Sequence, residues 1–440
     1  MTPTFSPAVV PSAEARPVDG NERLQLLDAL RGFALCGVFV SNVYMWFSLR
    51  VFTPRPQMEA AMTNASWLDT AAGFFAGIFI FGKFITLFSF LFGLGFAVQM
   101  GRAEARGASI VPLYVRRLTA MLLIGFAHLS LLWYGDILST YAVLGFGLLL
   151  FRKREDGTAL KWATGFILVS PVVILALTQL PDLLAGPAAM AAAAKEEGAR
   201  QAASSAELFQ VFSHGGYFDV VRANLSFYFG HMVRMSAVVM LALLGRFLVG
   251  LVAGRRRLFH DAASHLPLFR RVLLWALPFG LVGSSSGVVI KQLVMHHVLP
   301  QTPPAWLPYV LFPVRQMGEV GLAAVYVSGF VLLFQRPLWQ RILSVLAPVG
   351  RMALTNYLSQ TVMSLLMYYG YGLGLGGKLG PAALIGLPVA IFCVQIVWSH
   401  LWLARFRFGP AEWLWRSMTY GKLQPMRNAP APQAVSIAAA

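Results

Sequence analysis

The stretch RRLTAMLLIGFAHLSLLWYGDILSTYAVLGFGLLLF, Arg116 to Phe151, decides the fold. Two arginines open an apolar run holding one histidine; a Trp-Tyr-Gly-Asp turn follows, and a second apolar run ends at Arg152-Lys153-Arg154. Basic residues at both ends and Asp136 at the turn describe a membrane helical hairpin whose ends face the cytoplasm. Counted from Arg117 at about 1.5 Å per residue, His128 lies roughly 16 Å deep, near mid-bilayer. An ionisable side chain is costly at that depth, which makes His128 a candidate functional residue.

The rest of the chain agrees with this hairpin. At 57% apolar, 13% aromatic and 12% charged residues over 440 positions, the composition is that of an all-α, polytopic membrane protein. The formal charge of +17 sits in short loops between apolar runs rather than on one amphipathic face. It therefore serves topology and attraction to anionic lipid, and no nucleic acid is expected as a partner. Cys36 and Cys393 both fall inside apolar runs, away from any disulfide framework or zinc motif. The N-terminal segment has no apolar core of a signal peptide, so the first helix is expected to be retained.

Ten apolar runs are long enough to cross: 27–48, 69–100, 118–134, 137–151, 162–180, 225–252, 272–295, 307–334, 342–369 and 381–404. The second is too long for one straight span, and Gly82-Lys83 marks a break or a re-entrant start. With both termini cytoplasmic, 24 of the 35 Lys and Arg lie on the inner side, Arg31 and Arg351 near helix ends included; six lie outside and five within the runs. That asymmetry supports a bundle of about ten helices. The organisation expected is a cytoplasmic tail (1–22), a five-helix half (23–180), an external amphipathic segment (181–224), a second five-helix half (225–422) and a tail (423–440), with 1–22 and 423–440 disordered. No internal repeat of the transporter kind is visible.

Several polar groups fall within the runs. Projected through the topology, Asn42, His128, His231, Arg234, Arg315 and Glu319 lie between mid-bilayer and the outer half and are expected to face one cavity, while Lys83, Arg246 and Lys291 are also embedded. Arg315 and Glu319, spaced i, i+4, can pair on one helix face. His231 and Arg234 share a face at i, i+3, and a neighbouring cation would keep the imidazole neutral. Asp136 precedes a helix, where it caps free N–H groups; two turns from His128, it would need a bent hairpin or a water to form a dyad. His296-His297 lacks acidic partners, so no metal is expected. The segment YGYGLGLGGKLG (369–380) lacks the P-loop Lys-Ser/Thr and reads as a flexible turn.

Five stretches together resemble the YeiB-like family of bacterial inner-membrane proteins, which is defined by a domain of unknown function. They are LDALRGFAL (27–35), GKFITLFSFLFGLGF (82–96), RRLTAMLLIGFAHLSLLWYGDIL (116–138), PVGRMALTNYLSQ (348–360) and FRFGPAEWLWRSMTYGK (406–422). The resemblance implies an inner-membrane, multi-pass location and a distant relation to multi-span acyltransferases, which move an acyl group from cytoplasmic coenzyme A to a sugar hydroxyl or amine. Where the lysosomal glucosaminide N-acetyltransferases have a His before Ala-Ser-Trp, this chain has Asn64-Ala65-Ser66-Trp67, so an acyl-His intermediate at that position is not expected.

The function expected is thus a membrane O- or N-acyltransferase with acyl-CoA as donor substrate. Arg116, Arg117 and Arg351 at cytoplasmic helix ends would bind the donor's phosphates. His128 would deprotonate the acceptor, Asn42 would donate to the acyl oxygen, and Asp136 would orient polar groups. Lys83, His231, Arg234, Arg315 and Glu319 would line the substrate path. The alternative is a proton-coupled transporter or exporter of a small anionic or amphipathic solute working through Arg315, Glu319 and His231, and a third possibility is a non-catalytic scaffold. The partners expected are the bilayer and a small-molecule or glycan acceptor, with the oligomeric state left open.

Overall fold

The computed structural model describes residues 25–107, 109–295, 298–300 and 306–428. Among these the regular structure is all helical, with one isolated bridge between Phe406 and Arg427. The helices are α1 (Gln25–Asn42), α2 (Arg55–Thr63), α3 (Trp67–Phe75), α4 (Lys83–Ala105), α5 (Ile110–Leu131), α6 (Leu138–Leu150), α7 (Asp156–Thr164), α8 (Ser170–Ala185) and α9 (Pro187–His214). They continue as α10 (Tyr217–Phe227), α11 (Val233–Arg255), α12 (Leu266–Met295), α13 (Leu307–Phe334), α14 (Pro337–Ser344), α15 (Ala347–Arg351), α16 (Ala353–Tyr368), α17 (Pro381–Arg405) and α18 (Pro410–Tyr420). Seven of the ten apolar runs lie in helical spans long and apolar enough to cross a bilayer; 137–151 holds only the shorter apolar helix Leu138–Leu150, and 342–369 is divided among α14, α15 and α16.

The bundle is wound around α1, whose Ala29, Leu30, Ala34, Leu35 and Phe39 are buried. Glycines set the tightest approaches. A Cβ on Gly32 would meet the Leu346 carbonyl, and one on Gly350 the Asp28 carbonyl, so α1 and α15 touch backbone to backbone. Gly93 of α4 and Gly250 of α11 do the same against Phe247 and Phe90. Between α12 and α13, Gly280 and Gly283 face Gly321 and Gly318.

The expected break in the second run is present. Phe81 is extended (ψ 127°) and Gly82 takes φ +81°, where a Cβ would also strike the Glu319 carboxylate. The Lys83 ammonium reaches back 3.0 Å to the Gly77 carbonyl beside this interruption. Upstream, Ser66 caps α3, accepting from the Asp69 N–H at 3.0 Å, and Asp69 accepts from the Ala382 N–H at 2.9 Å to tie α3 to the start of α17.

Two expected loose segments are in fact built in. The glycine-rich turn is pinned by Gly370 N–H to Phe212 O at 2.9 Å and Gly377 N–H to Ser48 O at 2.9 Å, with Gly374 and Gly377 at positive φ. Residues 423–428, assigned to a disordered tail, fold back: the Trp413 indole donates to Gln424 O at 2.7 Å, and Arg407 N–H to Met426 O at 2.9 Å. Backbone donors of the turn and the α17 end take carbonyls from elsewhere in the chain, which composition does not reveal. Residues 181–224, the segment expected to be external, run from the end of α8 through α9 into α10 and pack on the bundle: Phe212 is buried, stacked on Tyr134 (centroids 5.7 Å) and Tyr369 (5.1 Å).

Because Gly283 and Gly318 sit backbone on backbone, Gly283→Val or Gly318→Val should cost at least about 1–3 kcal/mol through overpacking. The readout is a lower thermal-unfolding midpoint in detergent. Gly386→Ala, with nothing within 4 Å of the added carbon, should leave the midpoint unchanged or slightly raised.

Candidate functional site

The α5 helix ends where the Leu132 and Trp133 N–H groups both turn back to the His128 carbonyl, at 2.9 and 3.0 Å. The Trp-Tyr-Gly-Asp turn then folds over the helix instead of extending from it. Gly125 makes this possible: a side chain there would collide with the Ser139 backbone nitrogen and press on the Asp136 carboxylate. The result is a direct contact, His128 Nδ1 to Asp136 Oδ1 at 2.9 Å, with the side chains 1% and 0% exposed. The bent hairpin required for a dyad is what forms, and no water is needed between the two. Capping and pairing coexist, since Asp136 also accepts from the Leu138 N–H (3.2 Å), the Ser139 N–H (2.7 Å) and the Ser139 hydroxyl (2.5 Å).

The other ring nitrogen, Nε2, lies 3.0 Å from Thr361 Oγ1 on α16. Aspartate is an acceptor, so in the neutral imidazole Nδ1 carries the hydrogen and Nε2 accepts from the Thr361 hydroxyl. The Tyr357 ring, one turn earlier on α16, lies 5.2 Å from the imidazole. A polar ladder fixes α16 against α17: Gln360 Nε2 donates to Gln395 Oε1 at 2.8 Å, Gln395 Nε2 to Ser359 Oγ at 2.8 Å, and Asn356 Nδ2 to Ser399 Oγ at 3.0 Å. From α10, Tyr217 donates to Leu131 O at 2.8 Å and Asn224 to Leu132 O at 3.0 Å, satisfying the carbonyls at the end of α5.

Two cavities meet near this cluster. The larger, about 1490 Å³, opens toward α9 and α10 and has Asn42, Trp133 and Asp136 in its wall, with Arg200, Glu207, His214 and Arg222 toward its rim. The smaller, about 350 Å³, lies at the opposite end and is ringed by Arg31, Arg102, Arg106, Arg117, Arg351, Arg407 and Arg416, with Tyr357 in its wall. Val38, Ile85 and Ile137 line both. Asp136 faces the first cavity and Tyr357 the second, so the His128 cluster stands in the partition between them.

Aromatic and acidic neighbours hold the arginines in place. The Arg117 guanidinium sits 4.0 Å from the centre of the Trp415 ring, and Arg416 lies 4.5 Å over Phe408. Arg31 pairs with Asp28 at 2.8 Å. Burial raises the Glu412 carboxyl above the ordinary carboxylate range, although the Thr355 hydroxyl (2.5 Å) and Leu354 N–H (2.6 Å) pull it the other way. Burial lowers Arg416 from its usual value, opposed by Tyr420, Glu412 and Asp28.

The expected site residues divide. His128 and Asp136 come together, Asn42 joins Asp136 on the larger cavity, and Arg117 and Arg351 join the smaller one. Arg116 is exposed and outside that wall. Lys83 and Glu319 belong to another cluster between α4, α11 and α13, so the expectation of one shared cavity is corrected. There Glu319 pairs with Arg246 at 2.7 Å, not with Arg315, and Arg246 also donates to Gln316 at 2.6 Å. Arg315 is exposed and lies along Gly287. Depth along a span gives a residue's height but not the direction it faces, and α13 faces α4 and α12 rather than the hairpin. The side chains of His231 and Arg234, and His296-His297 altogether, lie outside the described residues. Among the described residues no group of three His, Cys, Asp or Glu could hold a metal ion.

A family model described as "Protein of unknown function (DUF418)" matches residues 253–422. The chain is 36% identical over 425 residues to the uncharacterized protein YxaH of Bacillus subtilis (strain 168), covering 93% of this chain and 98% of that protein. It is 28% identical over 415 residues to an uncharacterized 39.9 kDa protein in the amylase 3' region of Bacillus acidopullulyticus, covering 93% and 97%. Against the uncharacterized protein YeiB of Escherichia coli (strain K12) it is 28% identical over 411 residues, covering 90% and 96%. No solved structure matches it. The near full-length similarity and the domain match agree with the five stretches that resemble this family: the chain belongs to the YeiB-like family of membrane proteins that carry the DUF418 domain.

Proposed function

We propose that this protein is an acyltransferase of the bacterial inner membrane, passing an acyl group from acyl-CoA to a sugar hydroxyl or amine. The observation that carries this reading is the Asp136–His128 pair, with Nε2 turned to a hydroxyl, in a wall that separates an arginine-ringed cavity from a larger one. The concentration of Lys and Arg on one side supports placing the arginine-ringed end in the cytoplasm, where coenzyme A thioesters are made.

The smaller cavity is then the donor site. Guanidinium groups suit phosphate oxygens through paired N–H donors, and Arg31, Arg117, Arg351, Arg407 and Arg416 supply them from α1, α5, α15 and the α17–α18 region. Trp415 and Tyr420 in the same wall offer flat faces to an adenine ring. The larger cavity takes the acceptor. His128 serves as the base, Asp136 holds its tautomer and stabilises the imidazolium as it forms, and Asn42 donates to the acyl oxygen as it gains charge. A transport reading draws on the Arg246–Glu319 pair beside Lys83, a buried ionic cluster of the kind that couples protons to solute movement.

In purified protein given acetyl-CoA and envelope glycan extract, His128→Ala should lower thiol release by about 10²–10⁴-fold. Release at the wild-type rate would remove His128 from the chemistry. Arg117→Gln and Arg351→Gln should raise the donor KM with little change in kcat, as expected for binding shared by ground and transition states; an unchanged KM would place the donor elsewhere. Solute counterflow in proteoliposomes that is lost in Glu319→Gln and indifferent to coenzyme A would favour transport instead.

A further inference from the structure

We infer that Thr361 is the nucleophile of a two-step transfer and carries the acyl group as an ester between donor and acceptor. This rests on the acyltransferase reading and adds to it a covalent intermediate. Carboxylate, imidazole and hydroxyl lie in series: Asp136 Oδ1 to His128 Nδ1 at 2.9 Å, and His128 Nε2 to Thr361 Oγ1 at 3.0 Å. That is the order and spacing by which a histidine activates a hydroxyl. The other contact of the Thr361 hydroxyl, the Tyr357 carbonyl at 3.4 Å, is long, so the imidazole is its main partner.

Position argues for a relay. Thr361 lies one helical turn beyond Tyr357, whose side chain lines the arginine-ringed cavity, while Asp136 lines the cavity on the other side. The Thr361 hydroxyl is buried between the two linings, so a substrate from either cavity reaches it only by parting the partition, and the two need not meet. Ser364, three residues on and on the same helix face, is buried with a hydroxyl that has no hydrogen-bond partner, a donor that an acyl oxygen would satisfy. The ladder between α16 and α17 holds this face still.

In the first step Thr361 Oγ attacks the thioester carbonyl. The Oγ–C bond forms, the C–S bond breaks, and the hydroxyl proton passes through His128 Nε2 to the departing thiolate. In the second step the acceptor oxygen or nitrogen attacks the ester carbonyl and gives its proton to His128, which returns it to Thr361 as the Oγ–C bond breaks.

The test is radiolabelled acetyl-CoA added to the purified full-length protein without acceptor. The expected result is up to one acetyl group per chain that survives denaturation, is released by alkaline hydroxylamine, and maps by mass to tryptic peptide 352–378. Thr361→Val should abolish the label and lower transfer about 10³-fold, whereas Thr361→Ser should keep both. Acyl transfer to acceptor without any label on wild-type protein, or label and transfer intact in Thr361→Val, would overturn the relay and leave the acyltransferase standing. Absence of both thiol release and transfer would overturn the acyltransferase itself. The peptide mass is read on wild-type protein, so the relay stays testable even if Thr361→Val does not fold.

Discussion

An imidazole embedded among apolar helices keeps its place only if both of its nitrogens find partners, because no water competes for them and an unpaired polar group there costs several kcal/mol. His128 meets this constraint with Asp136 on one side and Thr361 on the other. Each partner makes its own demand on the fold. Asp136 must be brought back over the helix it follows, which requires Gly125 and the folded turn at Trp133. Thr361 must be delivered by α16, a helix more than two hundred residues later, and α16 is in turn locked to α17 by amide ladders. One buried ring thus organises three helices.

Much of this was legible in the sequence. Seven of the apolar runs are long membrane-type helices, the interruption at Gly82-Lys83 appears where the run is too long, and Arg116 to Phe151 folds as a helical hairpin, while the run at 342–369 is divided among three helices that hydropathy alone does not separate. His128 stood out because an ionisable residue deep in an apolar run is visible from spacing alone. Thr361, Tyr357 and Asn224 did not stand out, since uncharged residues in apolar helices carry no such signal and only packing shows what they touch. The same gap explains Glu319: its spacing from Arg315 permits a pair on one face, but Arg246 on a neighbouring helix approaches from a better direction. Spacing within a helix is local information, and which faces meet is not.

The arginines show the other side of that gap. Basic residues at helix ends are the ordinary mark of topology, and taken singly Arg31, Arg117, Arg351 and Arg416 need no further account. What the fold adds is convergence around a single cavity, with aromatic rings beneath two of them and Asp28 and Glu412 in the same wall. Charge that began as an address for membrane insertion is thereby gathered into a field that favours a polyanion.

The contacts from α10 have a mechanical corollary. Tyr217 and Asn224 hold the last carbonyls of the helix that bears the histidine, and the same α10 forms part of the roof over the larger cavity. Lifting that roof strips two helix-end carbonyls of their donors and slackens the turn on which Asp136 rides. The seating of α10 and the order of the His128–Asp136 contact are therefore coupled through the same helix end, so neither can loosen without the other.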